Sequence, residues 1–211
     1  MTAREEILSR IDSALGAGVA VPDVPRGYNL AGSGPPAGDA DVVARFCERA
    51  AEYRATVRRV DAGAVDDAIA DACREHGAKR LAVPAAGRRH VAGVELVVDD
   101  PPISPRGLDR VDGVVTGCAL AIAETGTIVL DGGARSGRRA ITLVPDYHVC
   151  VVEAERIVPG VPDAVAQLAE AAADGRPVTL VSGPSATSDI ELDRVEGVHG
   201  PRTLDVFVVQ A

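Results

Sequence analysis

The sequence predicts an α/β fold with a mixed sheet, flanking helices and an embedded antiparallel section. Near the start of the domain, apolar runs alternate with helical patterns, and the order strand, helix, strand is typical of a parallel pair with a right-handed crossover. In the middle of the chain the apolar runs are separated by turns and not by helices, which indicates antiparallel strands. The 211 residues are enough to bury a sizeable core without disulfides.

The chain is predicted to divide into an N-terminal segment, residues 1–38, and an α/β domain, residues 39–211. Apolar residues at helical spacing, together with a capping box formed by Thr2 and Glu5, predict an amphipathic helix that ends at Leu15. A Gly/Pro-rich linker fills the rest of the segment. The apolar stripe of the helix is expected to fold back on its own domain, and docking on a partner protein is the alternative.

The first part of the domain is predicted to alternate helices with strands. Helical spacing of apolar residues predicts a helix over residues 39–53, and a short strand is expected after it at residues 56–60. A second helix is predicted over residues 65–76, because Gly77 stands where a C-cap glycine is favoured. The strand at residues 79–83 then ends before a proline.

The middle of the chain is predicted to be a strand-rich insert. Its strands are expected at residues 94–98, 114–123, 127–130, 141–144 and 149–152. The second and third of these runs meet at a Glu-Thr-Gly corner, which predicts a buried hairpin. The last part of the domain is expected to contain a helix at 162–173, a strand at 178–182, a short helix around 188–195 and a strand at 204–209.

The composition argues against several function classes. A formal net charge of -9 argues against nucleic-acid binding, because neutralising phosphates requires a basic face. No apolar stretch reaches the roughly 18 residues of a membrane span and no signal-peptide pattern is present, so a cytoplasmic location is expected. The four cysteines are widely spaced, which favours small buried hydrophobes over zinc or iron–sulfur ligands. No metal site is expected, and His148 is predicted to cap a strand.

The Glu124-Thr125-Gly126 corner is the first candidate for chemistry. A carboxylate displayed where a hairpin of apolar strands turns, with little water around it, is able to serve as a base or a nucleophile. The alternative is that Glu124 starts a tight turn and accepts hydrogen bonds from the amides that follow it. Thr125 and Gly126 complete this candidate site as ligand-binding residues.

Residues 131–139 are the second candidate, because they combine glycines with three arginines. Backbone amides and guanidinium groups in such a segment are able to wrap an anion, and Arg135 is predicted to bind it. The alternative is a solvated loop on the surface of an acidic protein.

The third candidate is the polar cluster after the strand at residues 178–182. A strand that ends in Ser-Gly-Pro and opens a helix places amides and hydroxyls at the sheet edge, where anions bind readily. The predicted ligand-binding residues are Ser185, Thr187, Ser188, Asp189 and Glu191. Ser188 and Glu191 also have capping-box spacing, so helix capping is an equal alternative. The next loop adds His199 as a candidate catalytic proton carrier and Arg202 as a fixed cation, and it reaches the same rim if its bracketing strands share one sheet.

Four motifs, taken together, resemble those of the LUD-domain family, and within it the lactate utilization protein C group. They lie at residues 123–131, 143–148, 182–191 and 197–202. The resemblance covers nearly the whole chain. It implies a fold similar to that of sugar-phosphate isomerases, CoA transferases and 5-formyltetrahydrofolate cyclo-ligase.

The resemblance also implies a pathway. Members of the family act with two partner proteins, one cysteine-rich and one an iron–sulfur protein with its own LUD domain, in oxidising L-lactate to pyruvate. This chain would be a non-cluster subunit of that electron-transferring L-lactate dehydrogenase system, with the iron–sulfur clusters in its partners and no cofactor of its own. Its ligand would be a small carboxylate or another anion, and it would be able to form a homo-oligomer.

Two other functions stay open. Glu124-Thr125-Gly126 resembles the Glu-Asn-Gly that bears the nucleophilic glutamate of CoA transferases, with Thr125 in place of the asparagine. This similarity points to a free-standing enzyme that acts on an anionic substrate, such as a CoA thioester or a folate, with Glu124 as nucleophile or base. The other function is that of an assembly factor whose N-terminal helix docks on a partner.

Overall fold

A computed structural model describes residues 2–16, 23–28, 31–32, 34–184 and 200–210. Its α-helices are α1 Ala3–Leu15, α2 Ala40–Glu52, α3 Val65–His76, α4 Pro105–Leu108, α5 Val161–Gln167 and α6 Ala169–Ala173. Its strands are β1 Thr56–Asp61, β2 Arg80–Val83, β3 Glu95–Val98, β4 Gly113–Gly117, β5 Leu120–Ile122, β6 Thr127–Leu130, β7 Tyr147–Glu153, β8 Ile157–Val158, β9 Thr179–Val181 and β10 Thr203–Gln210.

Two sheets organise these strands. The central sheet has the order β1-β10-β7-β4-β2-β3, and all of its described pairings are parallel. The small sheet has the order β8-β5-β6-β9, in which β5 and β6 form the predicted hairpin, β9 pairs antiparallel with β6, and β8 pairs parallel with β5. The α/β prediction is thus confirmed, and the closer comparison with isomerases and CoA transferases stays a prediction.

The predicted strand-rich insert differs from the structure in one respect. Strands β3, β4 and β7, which were expected within it, belong to the parallel central sheet. Loops and the single-turn helix α4 supply crossover connections that a search for long helices does not reveal. Among the described strands, antiparallel pairing occurs in the small sheet.

The predicted strand at residues 114–123 divides into β4 and β5, which lie in different sheets. The Gly117 amide donates to the Arg135 carbonyl at 3.1 Å, and the Ala119 amide donates to a carbonyl of β6 at 2.9 Å, so the hydrogen-bonding partner changes within two residues. The chain also passes from the central sheet to the small sheet after β7, because a 3-10 turn at Ala154–Arg156 connects β7 directly to β8. The two sheets are joined at the carboxyl ends of β4 and β7.

The run at residues 141–144 forms a 3-10 turn at Arg139–Thr142 and not the predicted strand. The Thr142 hydroxyl donates to the Arg139 carbonyl at 3.2 Å, which supports the turn. Pro145 follows directly and lacks the N–H that a sheet ladder requires.

In the last third of the chain, one condition set in the sequence analysis is not met and one expectation is wrong. The strands predicted at 178–182 and 204–209 do not share a sheet, because β9 lies in the small sheet and β10 in the central one. The helix predicted over 162–173 is interrupted at Leu168, whose backbone ends α5 and begins α6. Its side chain packs against the core of the small sheet at this point.

Helices α2 and α3 pack on different core clusters of the central sheet. Phe46 of α2 is fully buried in a cluster that includes β10 residues and the small sheet. Ile69 of α3 lies in another cluster with Val149 and Phe207. Helix α3 has its predicted bounds, and Gly77 caps it in the left-handed conformation with φ 69°.

Helix α1 forms with the predicted capping box. The Glu5 amide donates to the Thr2 hydroxyl at 3.3 Å, and the Thr2 amide donates to the Glu5 carboxylate at 2.7 Å. None of its residues is buried, and Ile7 and Leu15 are each 59% exposed, so the expected packing on its own domain is wrong within the described residues. In the described part of the chain, no helix has the length and apolar character needed to cross a membrane.

Candidate functional site

Six predicted site residues lie outside the described residues: Ser185, Thr187, Ser188, Asp189, Glu191 and His199. The short helix predicted around residues 188–195 lies in the same undescribed range. The other five occupy three different parts of the fold. These are the corner at residues 124–126, the loop that carries Arg135, and the start of β10, where Arg202 is exposed and lies 3.7 Å from the Asp146 carboxylate.

The Glu-Thr-Gly corner connects β5 to β6. Glu124 is exposed, so its expected dry surroundings are not observed, and its amide donates to the Pro159 carbonyl at 3.1 Å. The hydroxyl groups of Thr125 and Thr127 lie 2.7 Å apart, and the Thr127 hydroxyl lies 2.6 Å from that of Ser182. This chain of three hydroxyls joins the corner to the Ser-Gly-Pro motif.

The glycines of these two motifs pack against the end of α2. Gly126 has φ 62°, and a Cβ placed on it would lie 2.5 Å from the Ala50 backbone nitrogen. Gly183 has φ 97°, and its Cβ would lie 2.4 Å from the Tyr53 carbonyl oxygen. Both positions combine a left-handed backbone with a close backbone approach, so a side chain is excluded at each. The motifs therefore have a structural role in joining the small sheet to α2.

The strand order creates a topological switch point between β2 and β4. From β2 the chain continues to β3 at one edge of the central sheet, whereas from β4 it continues toward β7 on the other side. In open α/β sheets, ligands bind outside the carboxyl ends of the strands at such a point. A cavity of about 140 Å³ lies there, and we name it the switch-point cavity. The charged side chains that line it are Arg89, Arg135, Glu153 and Arg156.

The charges of the switch-point cavity are linked by ion pairs. The Glu153 carboxylate accepts from Nη1 of Arg135 at 2.5 and 2.6 Å and from Nε of Arg156. Nη1 of Arg89 lies 3.4 Å from the Asp66 carboxylate. Burial opposes ionisation of Glu153, but the hydrogen bonds and charges of its two arginines outweigh burial and lower its pKa. With Asp66 counted, three cations face two anions, so this part of an acidic protein attracts an anion.

A second opening adjoins the first and shares Arg135 and Arg156 with it. This cavity measures about 330 Å³ and lies beside the small sheet and the helices α5 and α6. Asp131 and Arg176, which pair at 2.5 Å, also line it. The two cavities adjoin at the shared arginines, and the second adds the charged side chains of Asp131, Glu170 and Arg176.

The three arginines of residues 131–139 do not converge on one ligand. Arg135 bonds to Glu153, whereas Arg138 donates to the Asp99 carboxylate at 2.7 and 2.8 Å. Arg139 donates to a threonine hydroxyl in its own 3-10 turn. The described loop therefore does not form the single anion cradle that its composition suggested.

Arg135 is the predicted site residue that lines the switch-point cavity, and Arg89, Glu153 and Arg156 were missed. Their proximity depends on the parallel order that brings the ends of β2, β4 and β7 together, which one sequence does not reveal. A usable signal existed for Glu153 and Arg156, because Glu153 follows directly on the apolar run of β7 and Arg156 comes three residues later.

The cysteines and the described histidines lie in separate parts of the fold or in its core. Cys73, Cys118 and Cys150 are buried, as predicted, and Cys47 is half-buried. A hydrogen bond with Cys150, reinforced by burial, raises the pKa of Cys118 well above its ordinary value. His148 lies inside β7 and is only 2% exposed, so it is a core residue and not a strand cap. The described residues contain no group of three metal-ligating side chains.

Known proteins resemble this chain over most of its length. Residues 105–209 match the model of the LUD domain. Lactate utilization protein C of Deinococcus radiodurans is 48% identical over 176 residues, which are 82% of each chain. The chain belongs to the LUD-domain family. The resemblance inferred from the four motifs is thereby confirmed.

Two further LUD-domain relatives extend the comparison. Lactate utilization protein C of Shouchella clausii is 25% identical over 80% of this chain and 79% of its own. The crystal structure of a DUF162 family protein from Deinococcus radiodurans aligns with a TM-score of 0.69 and 39% identity, covering 83% of this chain and all of the other. The LUD-domain match includes Arg135, Glu153 and Arg156 but begins after Arg89.

Proposed function

We propose that this chain is a non-cluster component of an L-lactate-oxidising system, acting in the cytoplasm with a cysteine-rich and an iron–sulfur partner. The observation that carries the proposal is the 48% identity to a protein named Lactate utilization protein C, which extends over 82% of both chains. Oxidation of L-lactate to pyruvate releases two electrons and two protons. In this proposal the electrons pass to clusters held by the partner proteins.

The switch-point cavity supports an anionic ligand in this system. Among its described contacts, Arg135 uses only Nη1 for the Glu153 carboxylate, which leaves the hydrogens of Nε and Nη2 for a ligand. Arg156 contributes a second guanidinium beside it. A ligand anion would share both arginines with Glu153, and charge-assisted bonds of this kind hold carboxylates and phosphates with defined orientation.

Growth on L-lactate tests the role in lactate utilization. Deleting the gene in its native host should abolish growth on L-lactate and spare growth on pyruvate, because only the oxidation step is lost. Complementation with the wild-type gene should restore growth. Normal growth of the deletion strain on L-lactate would overturn the proposal.

Variants of the complementing gene test the switch-point cavity. Arg135→Gln should slow growth on L-lactate, because it removes a ligand cation and one partner of Glu153. Arg74→Gln is the matched control, because it deletes an equally charged side chain that is 75% exposed and, among the described residues, pairs with Asp71 on α3. If both variants grow alike, the cavity does not bind a ligand that the pathway needs.

Co-purification tests the partners. A tagged chain isolated from cells grown on L-lactate should bring with it two proteins, and the complex should contain iron and acid-labile sulfide. Isolation of the chain without iron from such cells, under conditions in which lactate oxidation survives in the extract, would contradict the assignment to an iron–sulfur complex.

A further inference from the structure

A separate cavity of about 110 Å³ lies between the central and the small sheet, and we name it the inter-sheet cavity. It shares no lining residue with the switch-point cavity. The polar side chains used below are those of Arg139, Thr142, His148 and Ser182, and the apolar wall includes Leu130 and Leu204.

Arg139 carries a charge that has no carboxylate partner among the described residues. Its described side-chain contact is a hydrogen bond to the Thr142 hydroxyl at 3.2 Å. Burial lowers the pKa of Arg139, whereas hydrogen bonds to carboxylates raise the pKa of Arg58 and Arg138. A half-buried cation that has no counter-charge among the described residues is unfavourable, and an entering anion would relieve that cost.

His148 supplies a neutral ring in the same cavity. Burial, followed by the charge of Arg139, lowers its pKa to about 4, so the imidazole is uncharged near neutral pH. Its Nε2 lies 2.8 Å from the Thr116 hydroxyl. A neutral imidazole offers one donor and one acceptor, and it pairs with a hydroxyl or a carbonyl oxygen without adding charge.

The size of the inter-sheet cavity limits the ligand. A cavity of about 150 Å³ accepts benzene, so one of about 110 Å³ encloses roughly four or five non-hydrogen atoms, and the remaining atom or two of a ligand would lie at its opening. The surroundings combine one cation, a neutral ring, an apolar wall and the hydroxyls of Thr142, Thr179 and Ser182. This set matches a carboxylate that carries a second oxygen on the adjacent carbon and a short alkyl group.

We infer that the inter-sheet cavity binds a short-chain 2-hydroxy or 2-oxo monocarboxylate, with its carboxylate on Arg139 and its second oxygen near His148 and Thr142. The cavity indicates the class of ligand, a short carboxylate with a second oxygen. That this acid is L-lactate or pyruvate rests on the proposed function. In this inference the switch-point cavity binds a different anion.

Calorimetric titration of the purified full chain tests this inference. Sodium L-lactate and pyruvate should each bind more tightly than propionate, which lacks the second oxygen, and more tightly than chloride or inorganic phosphate. Arg139→Gln should weaken lactate binding at least about tenfold, the loss typical of a hydrogen bond to a charged group. Arg74→Gln, which changes the charge equally on an exposed helix surface, should leave the affinity unchanged.

A second measurement does not depend on any variant. Addition of L-lactate to the wild-type chain should shift the imidazole resonances of His148 in a carbon–proton correlation spectrum, and those of exposed His90 should stay in place. Binding of lactate without a shift at His148, equal affinity for chloride, or full affinity in folded Arg139→Gln would each overturn the inference.

The binding experiments and the growth experiment can fail independently of each other. If the deletion strain fails to grow on L-lactate but the chain does not bind any of these acids, the inter-sheet site is wrong and the pathway role stands. If the acids bind as expected but the deletion strain grows normally, the site stands and the pathway role is wrong.

Discussion

Replacing Gly126 by alanine should destabilise the fold, because the added Cβ would overlap the backbone of α2, against which the Glu-Thr-Gly corner packs. The added Cβ would lie 2.5 Å from the Ala50 nitrogen and 2.6 Å from the Arg49 carbonyl carbon. Both of these atoms belong to the backbone of a helix whose Phe46 and Ala50 are buried. The helix therefore cannot yield without disturbing the core around Phe46.

The expected magnitude has two parts. The left-handed backbone at φ 62° costs an alanine about 1 kcal/mol. The backbone overlap adds about 1–3 kcal/mol, the usual cost of overpacking a core. The free energy of unfolding should therefore fall by about 2–4 kcal/mol, a large share of the roughly 5–15 kcal/mol of a typical domain.

Gly77→Ala is the matched control. Gly77 has φ 69°, close to that of Gly126, but a Cβ there would have no neighbour within 4 Å. It should therefore show only the backbone cost of about 1 kcal/mol. Urea unfolding followed by far-ultraviolet circular dichroism suits a chain without tryptophan, and the difference between the two variants measures the overlap. Equal losses in the two variants would refute the packing role of the corner.

Three more predictions follow from particular side chains. Tyr147→Phe should lower the free energy of unfolding by about 1–3 kcal/mol, because the Tyr147 hydroxyl donates to the fully buried Asp205 carboxylate at 2.8 Å. Glu124→Gln should keep both the fold and growth on L-lactate, because the Glu124 carboxylate is exposed. Arg135 and Arg156 lower the pKa of Glu153 in the folded state. The ionised Glu153 carboxylate therefore stabilises the fold above the ordinary carboxyl pKa, and this stabilisation is lost as the pH falls through the lowered pKa. The stability difference between wild type and Glu153→Gln should shrink below about pH 4.

Each of these predictions has an outcome that contradicts it. Urea midpoints of wild type and Tyr147→Phe that coincide would show that the hydrogen bond contributes nothing. Loss of growth by a folded Glu124→Gln chain would favour the nucleophile hypothesis over the structural role of the corner. A stability gap for Glu153→Gln that widens toward low pH would show that the arginines do not stabilise the ionised carboxylate.

Local patterns in the sequence were sufficient for α1, α2, α3 and the β5–β6 hairpin. The bounds of α3 follow from its apolar spacing and from Gly77, which must adopt a left-handed conformation to end the helix. The β5–β6 hairpin follows from two short apolar runs around Glu124-Thr125-Gly126. In both cases the deciding interactions lie within a few residues of one another.

The site depended on contacts that no local pattern contains. Arg138 forms an ion pair with Asp99, which is 39 residues away in the sequence, and Arg135 forms one with Glu153, which is 18 residues away. Such pairs depend on the order of the parallel strands. An apolar run predicts a strand but does not indicate which other strand will pair with it. The same limit explains why one run from residue 114 to 123 was not recognised as two strands in two sheets.

Lactate oxidation in cell extract tests the central claim most directly. Extract of the deletion strain grown on pyruvate with L-lactate present, supplied with L-lactate and an electron-accepting dye, should reduce the dye far more slowly than wild-type extract. Addition of the purified chain should restore the rate, because the partner proteins are still made. Full dye reduction by the deletion extract without the added chain would contradict the assignment of this protein to L-lactate oxidation.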